Sequence, residues 1–302
     1  MSIFSQDKSV GSMRSLVFFS VCIVTFRRPL LLANCLECID PSRQTLHPSL
    51  YEVIVSDDCQ DCSAKNVVKN FSFARWIQGP ARGVAANRNH ISRAAYGKWI
   101  IFVDDDELPQ PDWLEKIYEA AYSGEWDVIE GRVEPVNYPD NLLWYAPRVS
   151  KGGTFCTANL AILRQALFDL GGFDEKMSIS HEDIELGFRI VRADLRTVYL
   201  SDALVIHPAR RMNIKQVWHR MIQQQCQCFD LIHVDDCSRL NAPLGVFYLA
   251  GWLVRFWFIV LRLEWTSKPR GHWKRQLQAY LLSALTLPVA ACSIWRSRTD
   301  RR

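Results

Sequence analysis

Residues 97–107 read GKWIIFVDDDE, an apolar run that ends on four consecutive acidic side chains. A short continuous run of large apolar residues, with Ile and Val among them, predicts a strand buried on both faces of a parallel sheet. In open α/β sheets, ligands bind outside the carboxyl ends of the strands. The acidic run from Asp104 to Glu107 is therefore the first candidate for a functional site.

The segments around this strand alternate between strand and helix patterns. Apolar runs at 16–25 and 51–56 predict two more buried strands, and residues 30–39 between them have the spacing of an amphipathic helix. A helix from about residue 83 to 96, with Gly97 as its C-terminal cap, leads into the strand of the acidic run. This order predicts an α/β fold, a mostly parallel sheet flanked by helices. Further strands are predicted at 127–133 and 197–206, and further helices at 112–122, with Asp112 as the N-cap, and at 162–170.

The composition is that of a folded chain. The 302 residues are 49% hydrophobic and 23% charged, which is enough for a sizeable core in one large domain. We expect a flexible N-terminus over 1–15, a globular domain over 16–240 and a separate segment over 241–302.

The first apolar run ends in two arginines without a small-residue cleavage site, which disfavours a secretory signal and favours a cytoplasmic location.

The C-terminal segment is basic and rich in tryptophan. From Arg255 onward it has ten Lys or Arg and two acidic residues, so its net charge is +8 and that of the remaining chain is −4. Arg255 also interrupts an apolar stretch at 244–261, which disfavours a transmembrane helix. Tryptophan with Lys and Arg suits a helix that lies in the headgroup layer. We expect residues 241–302 to be helical and peripheral to the cytoplasmic face of the inner membrane, with a core-packing helical subdomain as the alternative.

Ten cysteines raise the question of a disulfide framework or a metal site. Most stand in apolar or helical context, which favours reduced thiols in a chain of this size. Cys35 and Cys38, then Cys59 and Cys62, form two C-x2-C pairs separated by 20 residues, which approximates the spacing of a zinc ribbon. A structural zinc is therefore the minor alternative to buried apolar cysteines.

Asp104 and Asp106 form a D-x-D triplet. Residues two apart in extended backbone point to the same side, so both carboxylates can converge on one divalent cation, Mn²⁺ or Mg²⁺, while Asp105 faces elsewhere. The alternative is a solvated acidic loop. The position at the end of an apolar strand favours the ion site.

The acidic run is one of an ordered series of motifs between residues 16 and 210. The series comprises 18–26 (FFSVCIVTF) with Arg28, 44–46 (QTL), 52–58 (EVIVSDD), 83–89 (GVAANRN), 97–107, 157–159 (TAN) with Arg164, 171–175 (GGFDE), 181–183 (HED), Arg189, 202–203 (DA) and His207. This series resembles family 2 glycosyltransferases, which have the GT-A fold, and an ordered series is more specific than any single motif. The acidic run is also similar to that of bacterial exopolysaccharide glucosyltransferases of the succinoglycan type.

The resemblance implies a nucleotide-sugar site with a divalent cation, Mn²⁺ or Mg²⁺. Taken alone, an arginine on a helix is solvated and a histidine at a strand end lies in the core, so Arg88 and His207 each have a structural alternative. The sequence departs from the family at 59–62 (CQDC), where Gly-Ser is usual. The implied metal and diphosphate ligands are Asp104, Asp106 and His207, and the implied nucleotide-sugar residues are Thr25, Phe26, Arg28, Asp57, Asp58, Arg88 and Asp105.

The pair Glu182 and Asp183 matches the family position that supplies the catalytic base. An inverting transfer needs a carboxylate that takes the proton from the acceptor hydroxyl, which we assign to Asp183, with Glu182 orienting it or the acceptor. The alternative is that both acids stand at a helix N-terminus because the helix dipole favours negative charge there, without a catalytic role. A zinc protease is excluded because His181 has no second His four residues on.

The sequence therefore predicts an inverting transferase that uses a UDP-sugar or similar donor. Its acceptor would be a glycan or lipid-linked molecule at the membrane surface, in surface polysaccharide biosynthesis. A non-catalytic sugar-nucleotide or glycan-binding module of the same fold is the alternative. Nucleic-acid binding is disfavoured because the basic tail is apolar between its charges and the body is acidic.

Overall fold

The computed structural model describes residues 17–139, 143–177 and 181–218. In chain order the strands of its main sheet are β1 (Phe19–Thr25), β2 (Tyr51–Asp57), β3 (Ala74–Gln78), β4 (Trp99–Asp104), β5 (Leu108–Pro109), β6 (Val128–Val136), β8 (Leu160–Leu163) and β9 (Thr197–Pro208); β7 (Trp144–Tyr145) and β10 (Arg210–Arg211) pair separately. The main sheet has the order β3-β2-β1-β4-β8-β6-β9-β5. Pairing is parallel from β3 through β1 to β4, and again between β6 and β9, while β8 is antiparallel to both its neighbours. The predicted mostly parallel sheet is confirmed.

Helices cover both faces of this sheet. They are α1 (Pro29–Ile39), α2 (Lys65–Val68), α3 (Val84–Ala94), α4 (Trp113–Tyr122), α5 (Arg164–Asp169) and α6 (Glu182–Arg192), with 3-10 turns at Pro48–Leu50 and Thr157–Asn159. Successive residues of a strand point to opposite faces. Val21 and Ile23 therefore join one core cluster with α1 and α4, whereas Cys22 joins a second with α3, α5 and α6.

Two predicted boundaries are wrong, and each has a physical reason. The helix predicted at 162–170 begins only at Arg164, because Leu160–Leu163 pair as a strand between β4 and β6. Gly97 does not cap α3, which ends at Ala94 with Ala95 in the C-cap position. A Cβ on Gly97 would lie 2.5 Å from the backbone nitrogen of Ser20, so the glycine permits a close approach to β1 instead. The predicted N-cap position of Asp112 is confirmed.

The described residues 137–139, 143–146 and 209–218 belong to a second compact unit. In its described part, β7 pairs antiparallel with β10, with Arg210 opposite Tyr145. The predictions for 1–15 and for the C-terminal segment 241–302 lie outside the described residues. Within the described ranges, no helix has both the length and the apolar character that crossing a membrane requires.

Candidate active site

The acidic run lies at the carboxyl edge of the parallel strands. Asp104 ends β4, and its neighbours Asp105 and Asp106 are in a turn, so the extended backbone that the D-x-D prediction assumed is absent there. Asp105 accepts hydrogen bonds from Thr25 Oγ1 at 2.6 Å and from Arg28 Nη1 at 2.9 Å. The same Arg28 nitrogen donates to Asp106 at 3.1 Å. Asp105 and Asp106 therefore share the guanidinium of Arg28, and Asp104 pairs with a different arginine, Arg88.

Burial has a strong effect on the acids of this run. It raises the pKa of Asp105 to about 6, although the Arg28 charge opposes the shift. It also raises the pKa of Glu107 well above its ordinary value, and the three neighbouring aspartates add to that shift. The solvated-loop alternative is wrong, because Asp105, Asp106 and Glu107 are all buried.

Glu107 is the member of the run that sequence reasoning did not assign. Its side chain is fully buried, and neither carboxylate oxygen accepts a hydrogen bond from any residue that the structure describes. His207, at the end of β9, places Nε2 3.6 Å from Asp106 Oδ1 and 3.9 Å from Glu107 Oε1. Its Nδ1 lies 2.9 Å from the Pro208 carbonyl oxygen, which can only accept, so Nδ1 carries a proton and Nε2 faces the two carboxylates.

These three side chains form a set that fits a divalent cation. One ligand atom from each of Asp106, Glu107 and His207 lies within 4.8 Å of the other two. Two atoms bound to one ion at about 2.1 Å each are at most about 4.2 Å apart, so both measured distances to His207 are compatible with a shared ion. A buried carboxylate without a hydrogen-bond partner is costly unless it is paired or binds a metal.

Arg88, on α3, joins the acidic run to the HED motif. Its Nη2 donates to Asp104 Oδ1 at 2.8 Å, and its Nη1 donates to Glu182 Oε1. Arg88 is only 4% exposed, so its alternative interpretation as a solvated helix arginine is wrong. One buried guanidinium thus holds carboxylates from two distant parts of the chain.

Asp183 is the half-buried acid at the start of α6. Its Oδ1 accepts a hydrogen bond from the backbone nitrogen of Ile184 at 2.8 Å. Burial, reinforced by the negative charge of Glu182, raises the pKa of Asp183 to about 7, and the charge of Arg88 opposes this. A carboxylate with a pKa near the working pH is suited to general base catalysis.

Asp57 and Asp58 shape the loops beside the acidic run. Asp57 accepts hydrogen bonds from the backbone nitrogens of Cys59 and Ala64, and Asp58 accepts from those of Ala81 and Gly83. Both carboxylates therefore order a loop at the carboxyl edge of β2 and β3. Phe26, 55% exposed, lies at the end of β1 on the same edge.

The cysteines do not support the zinc alternative. Cys35 is buried in the core and donates to the Asp104 carbonyl oxygen at 3.6 Å, whereas Cys62 contacts Gln78. In the described ranges the four thiols of the C-x2-C pairs form no set close enough to share an ion.

The sequence of this chain is similar to those of known proteins. Residues 20–176 match the profile of Glycosyl transferase family 2. The chain is 26% identical over 212 residues to glycosyltransferase AglE of Haloferax volcanii, which covers 65% of this chain and 68% of AglE. It is 26% identical over 217 residues to the O-antigen biosynthesis protein RfbC of Myxococcus xanthus, covering 61% of this chain but only 17% of RfbC.

Solved structures show the same fold. The mannosyltransferase PcManGT from Pyrobaculum calidifontis, in complex with GDP-Man and Mn²⁺, superposes with a TM-score of 0.58 at 16% identity, over 91% of this chain and 86% of that one. TarS from S. aureus superposes with a TM-score of 0.53 at 19% identity, over 78% of this chain and 43% of that one. At these identities the likeness establishes the fold alone.

Proposed function

This chain belongs to glycosyl transferase family 2, and we propose that it transfers a sugar from a nucleoside-diphosphate donor, with inversion at the anomeric carbon. The observation that carries the proposal is Arg88, which holds Asp104 of the acidic run and Glu182 beside Asp183. A sugar-nucleotide site and a base must stand together for such a transfer. We propose a UDP-sugar as the donor and a glycan or lipid-linked molecule of surface polysaccharide biosynthesis as the acceptor; RfbC, a relative, is an O-antigen biosynthesis protein.

The donor is proposed to bind at the carboxyl edge of β1, β2 and β4. Asp57 and Asp58 order the loops there, and Arg28, whose side chain is 37% exposed, presents a positive charge next to Asp105. Arginine is suited to recognition of a diphosphate because its planar donors match the phosphate oxygens. Thr25, Phe26, Arg88 and Asp105 complete the proposed nucleotide-sugar residues.

Asp106, Glu107 and His207 are proposed to hold the divalent cation. The two carboxylates suit Mn²⁺ or Mg²⁺, and the imidazole can add a nitrogen ligand. Bound there, the ion stabilises the leaving nucleoside diphosphate. Asp104 also remains a proposed ligand, although it accepts a hydrogen bond from Arg88.

Asp183 is proposed to act as the general base. Its carboxylate takes the proton from the acceptor hydroxyl while the hydroxyl oxygen bonds to the anomeric carbon. The bond from that carbon to the donor phosphate oxygen breaks, and its electron pair leaves with the nucleoside diphosphate. Glu182, fixed by Arg88, keeps a negative charge beside Asp183 and so helps to hold its pKa near 7.

The proposal is tested with the purified full chain and a panel of UDP- and GDP-sugars in Mn²⁺ or Mg²⁺. A donor that raises the melting temperature, followed by nucleoside diphosphate release and sugar transfer to a glycan or polyprenyl-phosphate acceptor, is the expected result. Donor binding without release on any acceptor would favour the non-catalytic binding module instead.

The proposed peripheral attachment to the inner membrane predicts that a variant ending at residue 240 leaves the membrane fraction.

A further inference from the structure

Glu130 is a buried carboxylate of β6 that none of the proposed steps uses. It is 2% exposed, and it accepts four hydrogen bonds from one short loop segment. Gly153 donates its backbone N–H to Oε1 at 2.6 Å; the backbone N–H groups of Thr154 and Phe155 donate to Oε2 at 2.9 and 2.6 Å; and Thr154 Oγ1 donates to Oε2 at 3.1 Å. A buried charge with this many backbone donors fixes the path of the loop.

Phe155, in this loop, has an unusual backbone conformation. Phe155 has a φ of 49°, in the left-handed region that a bulky side chain rarely adopts, and its N–H is one of those bound by Glu130. Its ring is 5% exposed and lies over Gly187 of α6. A Cβ on Gly187 would be 2.7 Å from Phe155 Cδ2, so the contact requires glycine at that position.

Gly187 connects this contact to the proposed base. It lies four residues after Asp183 in α6, and residues with that spacing share a face of the helix. Phe155 also packs in one cluster with Leu186 and Ile190 of the same helix. The next residue, Cys156, has a pKa raised by burial and by the charge of Asp183, which agrees with a short separation between the loop and the base.

We propose that Glu130 is a positioning residue for the transfer. Through Phe155 and Gly187 it holds the N-terminal half of α6, and with it Asp183, in the position from which the carboxylate reaches the acceptor hydroxyl. The catalytic consequence of this inference rests on the proposed function. The inference adds to that function a role for a residue that touches neither donor nor acceptor.

The first test is Glu130→Gln in the full chain. The amide NH₂ replaces an acceptor oxygen and faces backbone donors, so the loop loses part of its anchor. We expect kcat for transfer to fall by about 10- to 100-fold, the range that a misplacement of about 1 Å causes, with the donor KM within about two-fold of the wild type. A more hydrated Asp183 would also move the midpoint of the kcat pH profile below that of the wild type.

Glu52→Gln is the matched control. Glu52 accepts from Ser20 Oγ at 2.6 Å and from the Tyr96 backbone nitrogen at 2.7 Å, but it stands near the start of β2, at the opposite end of the strand from Asp57. This variant should lose stability and keep the pH midpoint and kcat. If Glu130→Gln also keeps both, or loses kcat and donor binding together, the inference is wrong.

A second pair of variants tests the same contact from the helix side. Gly187→Ala should reproduce the loss of kcat because its methyl group collides with the Phe155 ring, and adding Phe155→Leu should restore part of it. No recovery in the double variant would contradict the inference.

Hydrogen exchange of α6 separates this inference from the proposed function. Glu130→Gln should speed exchange in residues 182–192 and leave β1 and β4 unchanged. Unchanged exchange in α6 would overturn the inference. Faster exchange in α6 with no transfer by the wild-type chain on any donor would overturn the proposed function alone.

Discussion

Arg88 and Asp104 form an ion pair of 2.8 Å, and the second nitrogen of the same guanidinium binds Glu182, 94 residues further along the chain. The Arg88 side chain and that of Glu182 are almost fully buried, whereas Asp104 is one-third exposed. The positive charge therefore stabilises two carboxylates that would otherwise repel each other. This arrangement links the strand edge of the sheet to the first turn of α6.

Replacing Arg88 with methionine is expected to destabilise the fold. Methionine fills a similar volume but leaves Glu182 buried without its cation, and removing one partner of a buried pair costs about 3–5 kcal/mol. Urea unfolding followed by circular dichroism measures the loss. Arg93→Met is the control, because Arg93 is 63% exposed and 3.9 Å from Glu175, so its loss should stay within about 0.5 kcal/mol. Equal losses in the two variants would contradict the role of Arg88.

Asp183→Asn should abolish transfer and preserve donor binding. The amide has nearly the same shape but cannot accept the proton of the acceptor hydroxyl, and loss of a general base costs about 100- to 10,000-fold in rate. Single-turnover kinetics measures the rate, and the donor-induced rise in melting temperature measures binding. Glu185→Gln, two residues along the helix and paired with Arg189, is the comparison that should keep its rate. Wild-type turnover in Asp183→Asn would place the base elsewhere.

The transfer rate should rise with pH through about 7. Asp183 must be ionised to accept a proton, and burial followed by the charge of Glu182 raises its pKa to about 7. Glu182→Gln removes one source of that shift, so the midpoint should move to lower pH. The same shift has a cost for the fold, because stability is lost as pH rises from the ordinary value of 3.8 through the raised pKa. A flat kcat profile between pH 5.5 and 8.5 would exclude Asp183 as the titrating base.

Sequence periodicity predicted five strands of the main sheet, but it missed β3, β5 and β8 and did not predict the details of the site. Buried strands such as Trp99–Asp104 are apolar runs, and helices such as Trp113–Tyr122 have their own period. The sequence did not predict which acids of the run lie together, because the chain turns after Asp104 and the D-x-D alternation stops there. Glu107 follows three aspartates, so the sequence did not set it apart from the rest of the acidic run. The contacts of Arg88 and Glu130 bridge long sequence separations, which no local pattern encodes.

Removing the divalent cation should abolish transfer, and the ligand set can be identified without turnover. The melting temperature of the wild-type protein should be higher with Mn²⁺ and a nucleoside diphosphate together than with either ligand alone, because a ligand that binds only the folded state stabilises it. His207→Ala and Glu107→Gln should lose most of that rise, since each removes an atom from the set within 4.8 Å. Asp104→Asn should keep more of it, because Asp104 is held by Arg88. If Asp104→Asn loses the Mn²⁺ effect and Glu107→Gln keeps it, then Asp104 is the ligand, and Glu107 is a buried acid whose neutral form the amide reproduces.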